Sequence, residues 1–178
     1  IEHTISYVTG LRIKALCATL DTFGEDRILD DNAQILLRYT SGASGLYWCS
    51  QIAIGSDNGL KVRIYGTKGS IEWAQEYPNH MKLSLVGKPV QTLSRGSAYC
   101  YPQAARFSRV PAGHPEGYYE AFANVYASFE QALSKHKADD HLADPPSDYP
   151  NVRDGLEGVR FIHKCVESSS KNGSWIEY

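Results

Sequence analysis

A run of short strand-like segments between residues 11 and 94 constrains the fold of this chain more than any other feature. Apolar and polar residues alternate along these segments, most cleanly in LKVRIYGT (60–67). Alternation with a period of two is typical of strands that bury one face. Because the connections are short and parallel pairs need long crossovers, we expect antiparallel hairpins and meanders.

The predicted strands have one apolar face and one mixed face. They cover residues 11–20, 33–40, 44–54, 60–67, 70–73, 81–87 and 90–94. The mixed face carries Tyr39, Tyr47 and Tyr65 with lysine and arginine, so it is either solvated or used as an interface. In the turn before residue 70, Gly69 is expected to take a positive φ.

Helical patterns flank these strands. IEHTISYVTG (1–10) reads as a helix that ends at Gly10. The segment Pro115–Lys135 is predicted to be helical, with an apolar stripe at steps of three and four that comprises Tyr118, Phe122, Val125, Phe129 and Leu133. The last helix begins with Asn151 as N-cap and Asp154 three residues on, and its stripe comprises Val152, Leu156, Val159, Ile162 and Val166.

The fold class that follows is α+β. We expect an open-faced, largely antiparallel sheet of about six or more strands, with helices packed on one face and SWIEY (174–178) as one more strand. Residues 1–178 are expected to form a single domain. Because the chain opens with Ile1 inside a helical pattern, we interpret it as a fragment of a longer protein. A processed small protein is the alternative.

Charge and motifs exclude several function classes. A net charge of −2 gives no bulk attraction to nucleic acid or to anionic membranes. The four cysteines are widely spaced and suit free, buried thiols in a cytoplasmic protein better than disulfides or a zinc site. We find no glycine-rich dinucleotide loop, no nucleophile elbow and no HExxH pair, so we expect no metal site and no catalytic residue in this chain.

RVPAGHPEGYYEAFANVY (109–126) is the candidate binding segment. Pro115 suits the first position of a helix, which places His114 near the N-cap and Glu116 at the positive end of the helix dipole. A helix N-terminus favours anionic or polyhydroxylated ligands, and Arg109, His114 and Tyr118 are expected to point into one hollow. A purely structural role in capping and packing is the alternative reading.

Three stretches together resemble the C-terminal domain of the Gfo/Idh/MocA oxidoreductases, a family that includes glucose–fructose oxidoreductase and inositol dehydrogenase. They are VRIYGTKGSIEW (62–73), the candidate binding segment and YPNVRDGLEGVRFIHKCVESS (149–169). The family has an N-terminal Rossmann domain for NAD or NADP with a Glu-Lys-Pro motif, then a DxGxH segment at the junction. Aligning YVTG (7–10) places those parts before Ile1, so the resemblance implies that this chain alone lacks the cofactor domain, binds no cofactor and is inactive.

The resemblance also implies roles for this chain. It supplies substrate contacts from His114, Arg109, Tyr118 and His3, the last lying one helical turn beyond the family's catalytic histidine. The implied full-length activity is hydride transfer between a nicotinamide and a sugar or cyclitol carbon. The implied assembly is a homodimer or homotetramer through the open sheet face. A stand-alone ligand-binding or dimerisation module without catalysis is the alternative function.

Overall fold

The computed structural model describes residues 1–138 and 149–178, and the side chains of residues 1–135 and 149–178. In chain order the elements are α1 (Glu2–Thr9), β1 (Ile13–Asp21), β2 (Asn32–Tyr39), β3 (Ser44–Ser50), β4 (Lys61–Gly66), β5 (Gly69–Ala74), β6 (His80–Leu85), β7 (Gln91–Ser94), α2 (Pro102–Ala105), α3 (Tyr118–Ala138), α4 (Val152–Ser170) and β8 (Ile176–Glu177). The predicted α+β class is confirmed. None of the described helices has the length and apolar character that a membrane span requires.

The chain divides into two compact units. The first comprises Ile1–Gly55 with Pro150–Tyr178, and the second comprises Ser56–Tyr149. The strands accordingly form two four-stranded sheets, ordered β3-β2-β1-β8 and β4-β5-β6-β7, rather than the one sheet expected from the sequence. Every strand pairing given for the described residues is antiparallel, as the short connections predict.

The core of the first unit lies on one face of its sheet. It contains Leu16 and Ala18 of β1, Ile35, Leu37 and Tyr39 of β2, Tyr47 of β3 and Cys165 of α4. Tyr39 and Tyr47 were predicted on the mixed outer face, and this prediction is wrong. Tyr39 shares the face of Ile35 because side chains alternate along a strand, and Tyr47 is the register partner of Ile35. The two phenol oxygens lie 3.1 Å apart, so one hydroxyl donates to the other inside the core.

Helix α4 packs against β1 through small side chains. Its start is as predicted, because Asn151 and Asp154 form a reciprocal capping box. Its buried residues are Cys165 and Ser168, which allow close approach to the strand. The apolar stripe predicted for the core is instead exposed, by 49–86% at Val152, Leu156, Val159, Ile162 and Val166. The helix therefore has a second apolar face that the described residues leave largely uncovered.

Side chains at the end of α4 form hydrogen bonds with backbone amides of β1. The Ser168 hydroxyl, which is fully buried, accepts a hydrogen bond from the Ala18 amide at 2.8 Å and donates to the Ser174 carbonyl at 2.6 Å. Ser169 accepts from the Leu20 amide in the same way. Beyond these hydroxyls β8 pairs with β1, so the strand predicted in SWIEY is present in part.

The second unit contains a four-stranded meander. Its predicted alternation holds, since Val62 is buried and Tyr65 is 72% exposed. Gly69 does not take the expected positive φ. It is required for space, because a Cβ there would lie 2.2 Å from the Ser84 carbonyl oxygen of the neighbouring strand.

Helix α3 begins at Tyr118, three residues later than predicted. Gly117 precedes its first turn, and the Glu120 side chain accepts from the Gly117 amide at 2.8 Å, as in half of a capping box. The apolar positions of α3 are exposed by 42–65%, so the described residues do not bury them as a core stripe. The short helix α2 was not predicted from the sequence.

Candidate functional site

The segment that precedes α3 is held in place by Arg95, which follows β7. The Arg95 guanidinium donates from Nε to Asn79 Oδ1 at 2.7 Å, from Nη1 to the Val110 carbonyl at 3.1 Å and from Nη2 to the His114 carbonyl at 2.6 Å. It also forms an ion pair with Glu116. Two of these hydrogen bonds go to backbone carbonyls, so one planar group positions the backbone around His114.

Glu116 is a buried partner in this arrangement rather than a charge at the helix dipole. Its side chain is only 5% exposed, and its Oε1 accepts from the Arg109 amide at 2.7 Å. Its own amide donates to Asn79 Oδ1 at 3.1 Å. The predicted dipole role is wrong because α3 begins two residues beyond Glu116. For the same reason His114 lies outside the helix cap.

A small hollow lies over this network. It has a volume of about 110 Å³ and is lined by Asn79, His80, Ser94, Arg95, Gly113, His114 and Pro115. Ligand pockets usually measure roughly 300–1,000 Å³, so these residues enclose only part of a ligand the size of a sugar. The lining includes two imidazoles, of His80 and His114, and the amide of Asn79, which can hydrogen-bond to hydroxyl groups.

His114 is the predicted residue that lines the hollow. Its amide donates to the Pro111 carbonyl at 3.2 Å, and its carbonyl accepts from Arg95. The backbone is thus fixed on both sides, while the side chain is exposed. Gly113 takes a φ of 88°, a conformation that glycine adopts without strain, and this turn presents the imidazole.

Arg109 and Tyr118 do not line the hollow. Arg109 Nη1 donates to the Glu120 carbonyl at 3.2 Å and to Asn124 Oδ1 at 2.5 Å, so part of its guanidinium is already engaged with α3. Tyr118 is 65% exposed, and its ring centroid lies 5.0 Å from that of Phe122. The expectation that both side chains point with His114 into one hollow is therefore wrong for this hollow.

His3 belongs to the first unit, on α1. It is half-buried, and its ring centroid lies 6.4 Å from that of Tyr7 in a tilted arrangement. The contact with Tyr7, one turn along the helix, is local to α1.

Sequence reasoning missed Arg95 and Asn79, which organise the segment. One signal was present, because Gly96 directly follows Arg95 at the end of a strand. Gly96 has a φ of 70°, and a Cβ there would lie 3.1 Å from the Val110 carbonyl oxygen and 3.2 Å from the Ala112 nitrogen. The glycine indicates a close backbone approach, but the sequence does not show which segment approaches.

The Glu120 carboxyl at the start of α3 is stabilised in its charged form. Hydrogen bonding from the Gly117 amide, followed by that from the Glu120 amide itself, lowers the pKa of Glu120 below its ordinary value.

No group of three or more His, Cys, Asp or Glu side chains within the described residues is arranged to hold a metal ion. All four cysteines are free, with Cys165 buried as expected but Cys49 exposed.

Comparison with known proteins gives consistent matches along nearly the whole chain. A family model described as an oxidoreductase family, C-terminal alpha/beta domain, matches residues 13–178. The uncharacterized oxidoreductase YfiI of Bacillus subtilis (strain 168) is 37% identical over 170 residues, which are 94% of this chain and 43% of that protein.

Two solved structures are similar in fold and sequence. An inositol dehydrogenase homolog from Azotobacter vinelandii, complexed with NADH and myo-inositol, has a TM-score of 0.94 and 37% identity, with 99% of this chain and 47% of that chain covered. An oxidoreductase from Sinorhizobium meliloti has a TM-score of 0.89 and 45% identity, with 98% of this chain and 49% of that chain covered. This chain therefore spans about half the length of these proteins.

Proposed function

Because the chain belongs to the Gfo/Idh/MocA family of oxidoreductases and contains its C-terminal alpha/beta domain, we propose that it binds the substrate of an NAD(P)-dependent dehydrogenase of sugars or cyclitols. In a protein of its relatives' length, residues 1–178 serve as one substrate-binding and oligomerisation domain. The proposed reaction is reversible hydride transfer between a secondary alcohol carbon of the substrate and a nicotinamide.

The likeness to the Azotobacter vinelandii structure carries this proposal. That protein holds NADH and myo-inositol, and 99% of the present chain superimposes on it with a TM-score of 0.94. A polyhydroxylated ring needs several donors and acceptors around it. An exposed histidine on a fixed backbone suits such a ligand, because a neutral imidazole has one donor and one acceptor nitrogen.

We assign His114 as the first substrate contact, with Tyr118, Arg109 and His3 as further candidates. His114 is placed first because it lines the hollow and its side chain is exposed. Tyr118 offers an exposed hydroxyl. Arg109 would contribute the donors that α3 does not engage. His3, on α1, is retained as a candidate because the resemblance to the family implies it.

The described residues of this chain do not suit the cofactor. A dinucleotide is typically held by a glycine-rich loop between a strand and a helix. Among the described elements only the four-residue α2 directly follows a strand, and so short a helix provides no cradle. The nicotinamide would supply the hydride chemistry from elsewhere in the protein, and this chain would bind and orient the substrate.

Kinetics of the full-length protein test the substrate role. Oxidation of myo-inositol and of a panel of aldoses is followed by the appearance of NADH or NADPH. His114→Ala should lower kcat or raise KM at least about tenfold, roughly 1.4 kcal/mol of transition-state or substrate binding. His163→Ala is the matched control, because His163 is exposed on α4. Equal kinetics for the two variants would indicate that His114 has only a structural role.

A second proposed role, assembly of a homodimer or homotetramer, is supported by the outer face of the first sheet. Leu36 and Leu46 are register partners there and are 47% and 66% exposed, and Trp48 on the same face is 59% exposed. Grouped exposed apolar side chains favour an interface between copies. Leu46→Glu should reduce the molar mass measured by light scattering, whereas Leu29→Glu, in an exposed loop, should not. An unchanged mass for Leu46→Glu would exclude this face.

A further inference from the structure

We infer that Arg95 and Glu116 form a positioning pair that fixes the backbone of residues 109–116 and thereby aims His114 at its ligand. This inference rests on the substrate-binding role proposed above for His114. Neither residue of the pair is assigned as a substrate contact. Both act through the segment that they hold.

The geometry of Arg95 supports this role. Two of its hydrogen bonds go to backbone carbonyls of the segment, at Val110 and His114, and a third goes to Asn79 Oδ1. A carbonyl on each side of the Gly113 turn is therefore tied to one rigid guanidinium. A lysine at this position would keep the charge but not the planar set of donors, so it could not hold both carbonyls.

Glu116 holds the same segment from the other side. It pairs with Arg95, and its Oε1 accepts from the Arg109 amide at 2.7 Å. The side chains of Arg95 and Glu116 are only 20% and 5% exposed, so solvent screens the pair weakly. Loss of one partner leaves a charge that is buried and uncompensated, which makes the pair act as a unit.

Asn79 and Gly96 complete the attachment. Asn79 Oδ1 accepts from both Arg95 Nε and the Glu116 amide, so it joins the start of β6 to the pair. At Gly96 a Cβ would meet the Val110 carbonyl at 3.1 Å, which shows how closely the two backbones approach. The segment is thus held by contacts distant in sequence, whereas the side chain of His114 stays exposed.

Hydrogen exchange of the full-length protein tests the positioning directly. The amides of Arg109 and Glu116 donate to Glu116 and Asn79 of the network, and the His114 amide donates to the Pro111 carbonyl within the held segment, so all three serve as probes. Arg95→Lys should accelerate their exchange at least tenfold while leaving the amide of Val62, in the sheet, unchanged. Arg63→Lys, at an exposed arginine of β4, is the matched control. Glu116→Gln should accelerate the same probes, which keeps the test valid if one variant folds poorly.

A double-mutant cycle then asks whether the pair acts through His114. With myo-inositol and NAD⁺ as the probes, Arg95→Lys should lower kcat/KM about tenfold in the otherwise unchanged protein. In the His114→Ala background it should lower kcat/KM less than twofold, because the group that it positions is gone. Equal effects in both backgrounds would overturn the inference, because they would indicate a general structural role.

The two readouts separate this inference from the proposed function. If His114→Ala leaves kcat/KM unchanged, the substrate role of His114 fails and so does the aiming of that side chain at a ligand. Exchange rates that stay the same in Arg95→Lys would overturn the positioning pair itself, whatever the kinetics. Accelerated exchange together with a non-additive cycle supports the full inference.

Discussion

Replacing Ser168 by alanine should destabilise the first unit far more than its small size suggests. The Ser168 hydroxyl is fully buried between α4 and β1, where it accepts from the Ala18 amide at 2.8 Å and donates to the Ser174 carbonyl at 2.6 Å. Ser168→Ala removes both hydrogen bonds. The amide of the fully buried Ala18 would lose its partner, whereas Ser174 is exposed.

The expected cost follows from those two groups. A buried donor or acceptor left without a partner costs about 1–3 kcal/mol. The Ala18 amide loses the Ser168 hydroxyl as acceptor, whereas Ser174 is exposed, so we count this cost for the amide alone. The better helix propensity of alanine offsets about 0.5 kcal/mol. The free energy of unfolding should therefore fall by about 0.5–2.5 kcal/mol.

Two measurements check this value. Guanidinium unfolding should show a lower midpoint at an unchanged m-value, and exchange of the Ala18 amide should accelerate in the native state. Ser170→Ala is the matched control, because the Ser170 hydroxyl is exposed and donates only to the Glu167 carbonyl of its own helix. That control should change stability by less than about 0.5 kcal/mol. Equal losses in the two variants would refute the reasoning.

Two further predictions concern a loop and the cofactor. Asp31 accepts from the Phe23 and Gly24 amides at 3.0 and 2.8 Å, and chiefly the Gly24 bond lowers its pKa below the ordinary value of an aspartate. The contribution of this group to stability is therefore complete above that value and lost as pH falls through the lower folded pKa. The protection factors of these two amides should fall as the Asp31 carboxyl becomes protonated, and Asp31→Asn should lower them at neutral pH; pH-independent protection factors would contradict this. The 178-residue chain on its own should bind neither NAD⁺ nor NADP⁺ in a calorimetric titration. Micromolar affinity for either dinucleotide would contradict a cofactor site that lies outside these residues.

Local patterns in the sequence predicted local structure well. The alternation in 60–67 predicted β4, and Asn151 with Asp154 predicted the start of α4. Both signals are complete within a few residues, because strand pleating and helix capping depend on near neighbours. The resemblance of three separate stretches predicted the family, which the match to residues 13–178 confirms.

Predictions from local sequence preferences failed where a contact between residues distant in sequence determined the structure. Pro115 is a good first residue for a helix, yet the ion pair of Glu116 with Arg95 holds that stretch outside α3. The strongest apolar stripe of α4 is not the face that packs on β1, because Cys165 and Ser168 permit closer approach. Arg95 could not be assigned from sequence, since the carbonyls that it binds lie 15 and 19 residues away.

The paired phenols of Tyr39 and Tyr47 give the first unit its own optical signal. Burial raises the pKa of both hydroxyls above the value of an ordinary tyrosine. Their protonated forms stabilise the unit below pH 10, and that contribution is lost as pH rises through the raised folded values. In an ultraviolet titration toward alkali, these two phenols should therefore ionise later than a tyrosine of ordinary pKa. The late phenolate absorbance then records the opening of this core, without any added label.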